Sequence, residues 1–260
     1  MPVQTRRNDV LEFVRQRRFA SLPELREMFD VSESTIRRDL EYLEEQGAAR
    51  RIHGGVLYSG TSPKLPHFDT NQPAQWAEKQ AIAAQVAQLI EDGDTLLLDG
   101  GSTTYEIARR LVGRPVHVVT NSLPIANLLA ADTSSDLVLI GGNVSPRTGV
   151  LQGPYADKMI AELRVRRAVL SVAGVHEEGY FNNNLLVVET QRGMLRAADE
   201  VIIAVDSTKF DRQSLAHLAP LDAARRVVTD HGVSPTWSAR LEAHGVEVIS
   251  VPPPNISETS

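Results

Sequence analysis

The sequence predicts an α/β protein in two parts: a small N-terminal unit of three helices with a β-hairpin wing, then a larger domain built on a mostly parallel sheet. Three observations carry that expectation. Capped amphipathic helices crowd the chain up to Gly47, a Gly-Gly turn among alternating residues follows at Ala49 to Val56, and from Thr95 onward apolar strand-like runs alternate with helix-period segments. At 260 residues and 42% hydrophobic content, the chain can bury one small and one medium core.

Val10, Phe13 and Val14 predict the first helix. Ser21-Leu22-Pro23-Glu24 has the form of a capping box, and Leu22, Leu25 and Phe29 supply the apolar stripe of a short second helix. The connection Asp30-Val31-Ser32 is so short that the next helix must cross steeply, the helix-turn-helix arrangement. Ser32 is placed as N-cap of that third helix and Gly47 as its stop. At about 100° per residue, Ile36, Leu40 and Leu43 share one stripe, while Ser34, Arg37, Arg38 and Glu41 fall on the opposite side. The wing, Ala49-Arg50-Arg51-Ile52-His53-Gly54-Gly55-Val56, adds two arginines. An arginine pair alone is ordinary on a solvated helix. Together, cap, tight turn, supporting helix and basic wing predict a DNA reader, with Ser32, Ser34, Thr35, Arg37, Arg38, Arg50, Arg51 and His53 as candidate contacts.

The Ser-, Pro-, Gly- and Asn-rich stretch from Tyr58 to Gln75 has no period and reads as a linker, so residues 1–57 form the first domain and 76–251 the second. From Trp76, Ile82, Val86 and Ile90 mark a helix. Then follow strand Thr95 to Leu98, helix Thr103 to Leu111, strand Val116 to Thr120, helix Pro124 to Ala130 and strand Leu137 to Ile140. After a less regular section, Gly141 to Gly153, come helix Tyr155 to Leu163, strand Ala168 to Ala173 and a polar loop, His176 to Asn184. Helix Leu186 to Ala198, strands Val201 to Val205 and Arg226 to Val228, and a last helix and strand within Pro235 to Val251 complete the domain. Residues 252–260 are expected to be a disordered tail.

Composition narrows the function. The absence of cysteine excludes disulfides and thiolate zinc sites, and the seven histidines show no metal-ligand spacing. Nothing before Arg6 resembles a signal peptide and no apolar run could span a bilayer, so a cytoplasmic protein with no membrane partner is expected. Net charge is −6, yet residues 1–56 hold 10 basic and 10 acidic groups, so the acidity belongs to the rest of the chain. The local field of the reader, rather than the net charge, decides phosphate attraction. An architectural DNA protein is disfavoured by the acidic large domain and the lack of a basic tail.

In parallel sheets, ligands gather beyond the carboxyl ends of the strands. There stand Asp99-Gly100-Gly101-Ser102-Thr103-Thr104, Asn121-Ser122, Gly141-Gly142-Asn143 and Asp206-Ser207-Thr208-Lys209. Glycines admit close backbone approach, hydroxyls donate, and a helix start adds partial positive charge, so an anionic group such as phosphate fits. Each segment alone equally suits a turn with a helix cap; their shared position argues for one pocket. The alternative is a sugar-phosphate isomerase fused to a DNA reader, which needs a carboxylate or comparable base poised over a carbon acid, with a polarising partner nearby. No spacing pairs Asp99, Asp206, Glu177, Glu178 and Glu189, and Val172-Ala173-Gly174-Val175 places no acid at its strand end.

SESTIRRDLEYLEEQG followed by RRIHGGV resembles the signature of the DeoR family of bacterial transcription regulators. LLLDGGSTTYEIARRL, VVTNS, LIGG, VVETQRGMLRAADEVIIAVDSTKF and VVTD resemble that family's effector-sensing domain, so the match runs from about Arg6 to Val251. The resemblance implies a winged helix-turn-helix joined to a sensor similar in fold to ribose-5-phosphate isomerase and coenzyme A transferases. It implies a homo-oligomeric regulator, most often a repressor, of carbohydrate uptake or catabolism genes, with operator DNA and a phosphorylated sugar as partners and no cofactor. Gly101, Ser102, Thr103 and Thr104 would cradle the phosphate, with Asp99, Asn121, Asp206 and Lys209 lining the pocket; Gly100, Gly141 and Gly142 join them by their strand-end position. Phe181-Asn182-Asn183-Asn184 would lie in a loop over the pocket and set specificity.

Overall fold

A computed structural model of the chain describes residues 3–17, 19–45, 49–52, 55–58, 75–130 and 132–252. The chain divides into two units, Met1–Lys64 and Leu65–Ser260. In the first, the order is α1 (Val3–Arg17), β1 (Phe19–Ser21), α2 (Leu22–Phe29), α3 (Glu33–Glu45), β2 (Ala49–Ile52) and β3 (Gly55–Tyr58). α2 starts on the expected capping box: Ser21 Oγ accepts from the Glu24 amide at 3.4 Å and Glu24 Oε2 accepts from the Ser21 amide at 2.8 Å. Two backbone donors are thus satisfied within the turn. Asp30 closes α2 in the left-handed region, φ 46° and ψ 53°, which reverses the chain ahead of α3. Val10 and Val14 of α1, Leu25 of α2 and Ile36, Leu40 and Leu43 of α3 share one core with Ala20, Ala49 and Val56. Each large side chain fully buried there stabilises by roughly 1.5–3 kcal/mol.

The wing has a strand that the sequence reading lacks. β3 pairs antiparallel with β2, Ile52 opposite Gly55, and on its other side with β1, Ala20 opposite Val56. Three residues are too few for alternation to show, so β1 is defined by its partner rather than by its own pattern. Gly55 permits the approach, since a Cβ there would stand 2.6 Å from the Ala20 carbonyl oxygen. Gly47, His53, Gly54, the interior of the expected linker (59–74) and the tail 253–260 lie outside the described residues.

The second unit runs α4 (Trp76–Leu89), β4 (Thr95–Leu98), α5 (Ser102–Leu111), β5 (His117–Thr120), α6 (Leu123–Leu129), β6 (Asp136–Leu139), β7 (Asn143–Val144), β8 (Leu151–Gln152), α7 (Pro154–Ala161) and β9 (Val165–Leu170). It continues β10 (Gly174–His176), β11 (Gly179–Asn182), α8 (Leu185–Ala197), β12 (Ala198–Ala204), β13 (Ala216–Ala219), β14 (Arg226–Asp230), α9 (Pro235–Ala243) and β15 (Glu247–Val251). The main sheet has the order β15-β14-β12-β9-β4-β5-β6, and every neighbouring pair is parallel. Its two faces make two cores. Leu96 and Leu98 pack with Ile82 and Val86 of α4, Ile107 of α5 and Ile125 of α6, while Leu97 belongs with Ile160 of α7, Met194 of α8 and Leu241 of α9. Burial on both faces is why these strands read as unbroken apolar runs.

Two expectations are corrected. The polar loop His176 to Asn184 is instead the β10–β11 hairpin, Val175 opposite Tyr180, extended by β13 into a separate antiparallel sheet. Its polar ends concealed a short apolar centre: Tyr180 is buried and donates through its hydroxyl to the Leu221 carbonyl at 3.1 Å, and Phe181 lies edge-on between His176 and His217. Gly179, at φ 131°, is required there because a Cβ would meet the Ala219 carbonyl oxygen at 2.1 Å. The irregular section Gly141 to Gly153 holds the β7–β8 ribbon.

Candidate functional site

In α3 the Ser32 carbonyl accepts from the amides of Thr35 and Ile36 at 3.0 and 3.1 Å, and Ser32 Oγ from the Thr35 amide at 3.3 Å, so Ser32 is the N-cap. The hydroxyls of Ser34 and Thr35 gather on it at 2.9 and 2.8 Å. Ile36, Leu40 and Leu43 are buried, and Ser34, Arg37, Arg38 and Glu41 are exposed, as the helical period requires. The two arginines differ. Arg37 is paired one turn back with Glu33, Nη2 to Oε1 2.7 Å, whereas Arg38 makes no ion pair among the described residues. Asp39, which the sequence reading passed over, is buried and accepts from Arg6 Nε at 2.6 Å and Arg7 Nε at 3.1 Å, while the Arg7 guanidinium stacks on Tyr42. The carboxylate thereby locks α1 to α3, and spends two basic groups of the first helix on structure. Arg50 and Arg51 lie on β2 opposite Leu57 and Val56. What was expected of their side chains, and of His53, lies outside the described residues.

In the second unit a cavity of about 390 Å³ opens beyond the carboxyl ends of β4, β9 and β12. From the candidates, Gly100, Gly101, Ser102, Thr103, Asp206 and Lys209 line it. The glycines keep it open: a Cβ on Gly100 would stand 2.3 Å from Val150 Cγ2, and one on Gly101 2.1 Å from Ser171 Oγ. Asn182 and Asn183 also line it, from the end of the hairpin rather than from a covering loop. Gln75 and Lys79 of the α4 start, Thr148, Ser171 and Val187 were not foreseen. Gln75 and Lys79 at the α4 start, Val187 on α8 and Thr148 in the ribbon turn carry no strand-end signal, whereas Ser171, directly after β9, does carry it.

Five candidates stand outside the cavity wall, each with a local reason. Thr104 Oγ1 accepts from the Gly101 amide at 2.8 Å and donates to the Gly101 carbonyl at 2.9 Å, so it shapes the loop. Asn121 is buried and donates to the Leu151 carbonyl at 3.0 Å, joining β5 to β8. Gly142, at φ 141°, lies against the Gln152 carbonyl, and Gly141 has open space around it. Asp99 is buried under the glycines. Its Oδ2 accepts from Gln191 Nε2 at 2.7 Å and, at longer range, from the Ser171 amide and hydroxyl, while Oδ1 has no hydrogen-bond partner among the described residues. Burial pushes this carboxyl's pKa up, against the donors Gln191, Gly100 and Ser171. Gln191 in turn accepts from Asn182 Nδ2 at 3.1 Å, so one buried amide ties the glycine loop to the hairpin.

Asp206 is the one carboxylate lining the cavity among the described residues, and its Oδ1 accepts from the Thr208 amide at 3.2 Å and from the Thr208 hydroxyl. Glu177, Glu178 and Glu189 engage Arg240, Gln213 and Arg192 at the surface. Among the described residues, the other titratable side chains lining the cavity are Lys79 and Lys209. No group of three or more His, Cys, Asp or Glu among the described residues is placed to hold a metal ion. No described helix is long and apolar enough to cross a membrane.

Residues 6–61 match the model of the DeoR-like helix-turn-helix domain, and residues 74–231 that of the DeoR C terminal sensor domain. The chain belongs to the DeoR family. Similar curated relatives include the uncharacterized HTH-type transcriptional regulator YulB of Bacillus subtilis, 31% identical over 97% of this chain and 98% of that one. Another is the glycerol-3-phosphate regulon repressor of Escherichia coli, 33% identical over 86% of this chain and 90% of the other. Among solved structures, ribose 5-phosphate isomerase A of Methanocaldococcus jannaschii aligns over 51% of this DeoR-family chain and 53% of its own, at 19% identity and a TM-score of 0.37. That likeness is too slight to bear on function.

Proposed function

We propose that this DeoR-family chain is a repressor of carbohydrate uptake or catabolism genes, which binds operator DNA as a homo-oligomer and changes affinity when a phosphorylated sugar or related metabolite enters the cavity. The observation that carries the DNA half is the outward face of α3, where Arg38 stands exposed, with no ion pair among the described residues, on a helix whose opposite stripe is wholly buried. Arg37 and Arg38 would contact bases or phosphates. Ser32, Ser34 and Thr35 would contact the backbone, and Arg50, Arg51 and His53 would anchor the wing. The effector half is supported by a cavity that combines an open glycine loop, two hydroxyls at a helix start and a lysine. The repressor name of the glycerol-3-phosphate relative fits the same reading.

The test is a mobility-shift titration of the DNA flanking the gene, at fixed salt, with and without a panel of sugar phosphates and their unphosphorylated parents. Specific retardation relieved or enhanced by one phosphorylated compound is expected. Binding no tighter than to random DNA would overturn the regulator reading, and indifference to every phosphorylated compound would overturn the effector reading.

A further inference from the structure

We infer that Lys79 is an anion-binding residue of the cavity, so that the first turn of α4 is part of the effector site. This rests on the effector reading above and adds a side chain that lies on no strand end. The chain has four lysines, Lys64, Lys79, Lys158 and Lys209, and two of them, Lys79 and Lys209, line this one cavity. They do so in the part of the chain that carries all of the −6 net charge. Chance placement would scatter four lysines over the surface.

Lys79 is half-buried, yet its ammonium makes no ion pair or hydrogen bond among the described residues; only its backbone amide is engaged, donating to the Gln75 carbonyl at 3.0 Å. Asp206, the nearby acid, is engaged by Thr208 instead. Burial, the largest effect, lowers the pKa of the Lys79 ammonium; Asp206 opposes this, the charge of Lys209 adds to it, and Glu78 opposes it. A partly desolvated cation without a partner costs the fold free energy. That cost, maintained at the wall of a polar cavity, is recovered when an anion arrives between two ammonium groups. A phosphate ester, carrying close to two negative charges at neutral pH, offsets both. Gln75, one turn before Lys79, lines the same wall and immediately precedes α4, itself at φ 58°. A ligand held by Lys79 therefore acts on the helix through which the chain enters the sensor.

The experiment uses the full chain with Lys79→Met and Lys79→Arg. The probes are inorganic phosphate, glycerol 3-phosphate and glucose 6-phosphate, with glycerol and glucose as uncharged controls. Melting temperature and amide hydrogen exchange of residues 76–80 are read with and without each probe. For the wild type, the phosphate compounds raise the melting temperature through binding linkage and slow exchange in that turn. K79M without ligand melts at or above the wild-type temperature, because the unpaired cation is gone, and its affinity for the probe falls at least tenfold; K79R retains most of the response. Wild-type affinity in K79M overturns the assignment, as does a lost response accompanied by a lower unliganded melting temperature, the mark of a merely structural residue. A wild type indifferent to all three phosphate compounds sinks the effector reading and this assignment with it. A wild type that responds alongside an equally responsive K79M sinks the assignment alone.

Discussion

Arg37 and Arg38 are neighbours in sequence with different electrostatic situations, because Glu33 already holds Arg37 and nothing described holds Arg38. Arg38→Ala is expected to weaken operator binding by about 1 to 3 kcal/mol if the guanidinium is bidentate to a guanine. The salt dependence separates the roles: a lost phosphate contact lowers the slope of log K against log salt by about one, whereas a lost base contact leaves it unchanged. Unaltered affinity in the variant would remove Arg38 from the interface. Asp99 poses a second residue-scale question, since burial raises its pKa. A carboxyl whose folded pKa lies above its unfolded value of about 3.9 favours the fold most below that value, and the contribution is lost as pH rises through the folded pKa. The stability of Asp99→Asn relative to wild type should therefore climb as pH rises from about 4, whatever its offset. A flat difference in denaturant titrations would show that the carboxyl is not shifted. Neither Arg38's freedom nor Asp99's burial is a property of composition; both depend on what the fold brings near.

The helices are set mostly by local chemistry. Ser21, Ser32, Ser122, Asn184 and Ser234 each accept from backbone amides at a helix start, and the bounds read from sequence as Thr103 to Leu111, Pro124 to Ala130, Tyr155 to Leu163 and Leu186 to Ala198 lie within two residues of those observed. Relations between helices are another matter. Asp39 joins α1 to α3 through Arg6 and Arg7, and its place in the period of α3 gives no hint of partners more than thirty residues away. Asp39→Ala leaves two partly buried guanidinium groups without their carboxylate, and should destabilise the N-terminal unit by about 3 kcal/mol. Full retention of its melting temperature would mean that the clamp is ornamental. The strands divide in the same way. β4, β5 and β12 announce themselves as apolar runs, whereas β1, β10, β11 and β13 are short and exist because a partner strand supplies their hydrogen bonds. The hairpin, read from the sequence as a loop, ends in Asn182 and Asn183 at the cavity wall.

Across the whole molecule the charge is divided, with a neutral first part and all of the −6 beyond it. The neutral reader should bind random DNA weakly, with a shallow salt dependence, and owe more of its affinity to sequence. The proposed homo-oligomer is expected to be symmetric, because recognition helices usually read half-sites about one turn (~34 Å) apart. Light scattering at concentrations that saturate the operator should report a dimer or larger; a monomer occupying a single half-site would contradict this. The sequence by itself determined the helix-turn-helix face, the parallel alternation and the glycine loop, because each is written in residues close along the chain: a period, a cap, a turn. Only the tertiary structure decided that Lys79, Thr148 and Ser171 share a wall with Gly101 and Lys209 while Asp99 and Asn121 withdraw beneath it. The reason is that a cavity is made where separate strand ends, a hairpin and a distant helix converge, and that convergence is set by packing on both faces of the sheet rather than by any local pattern.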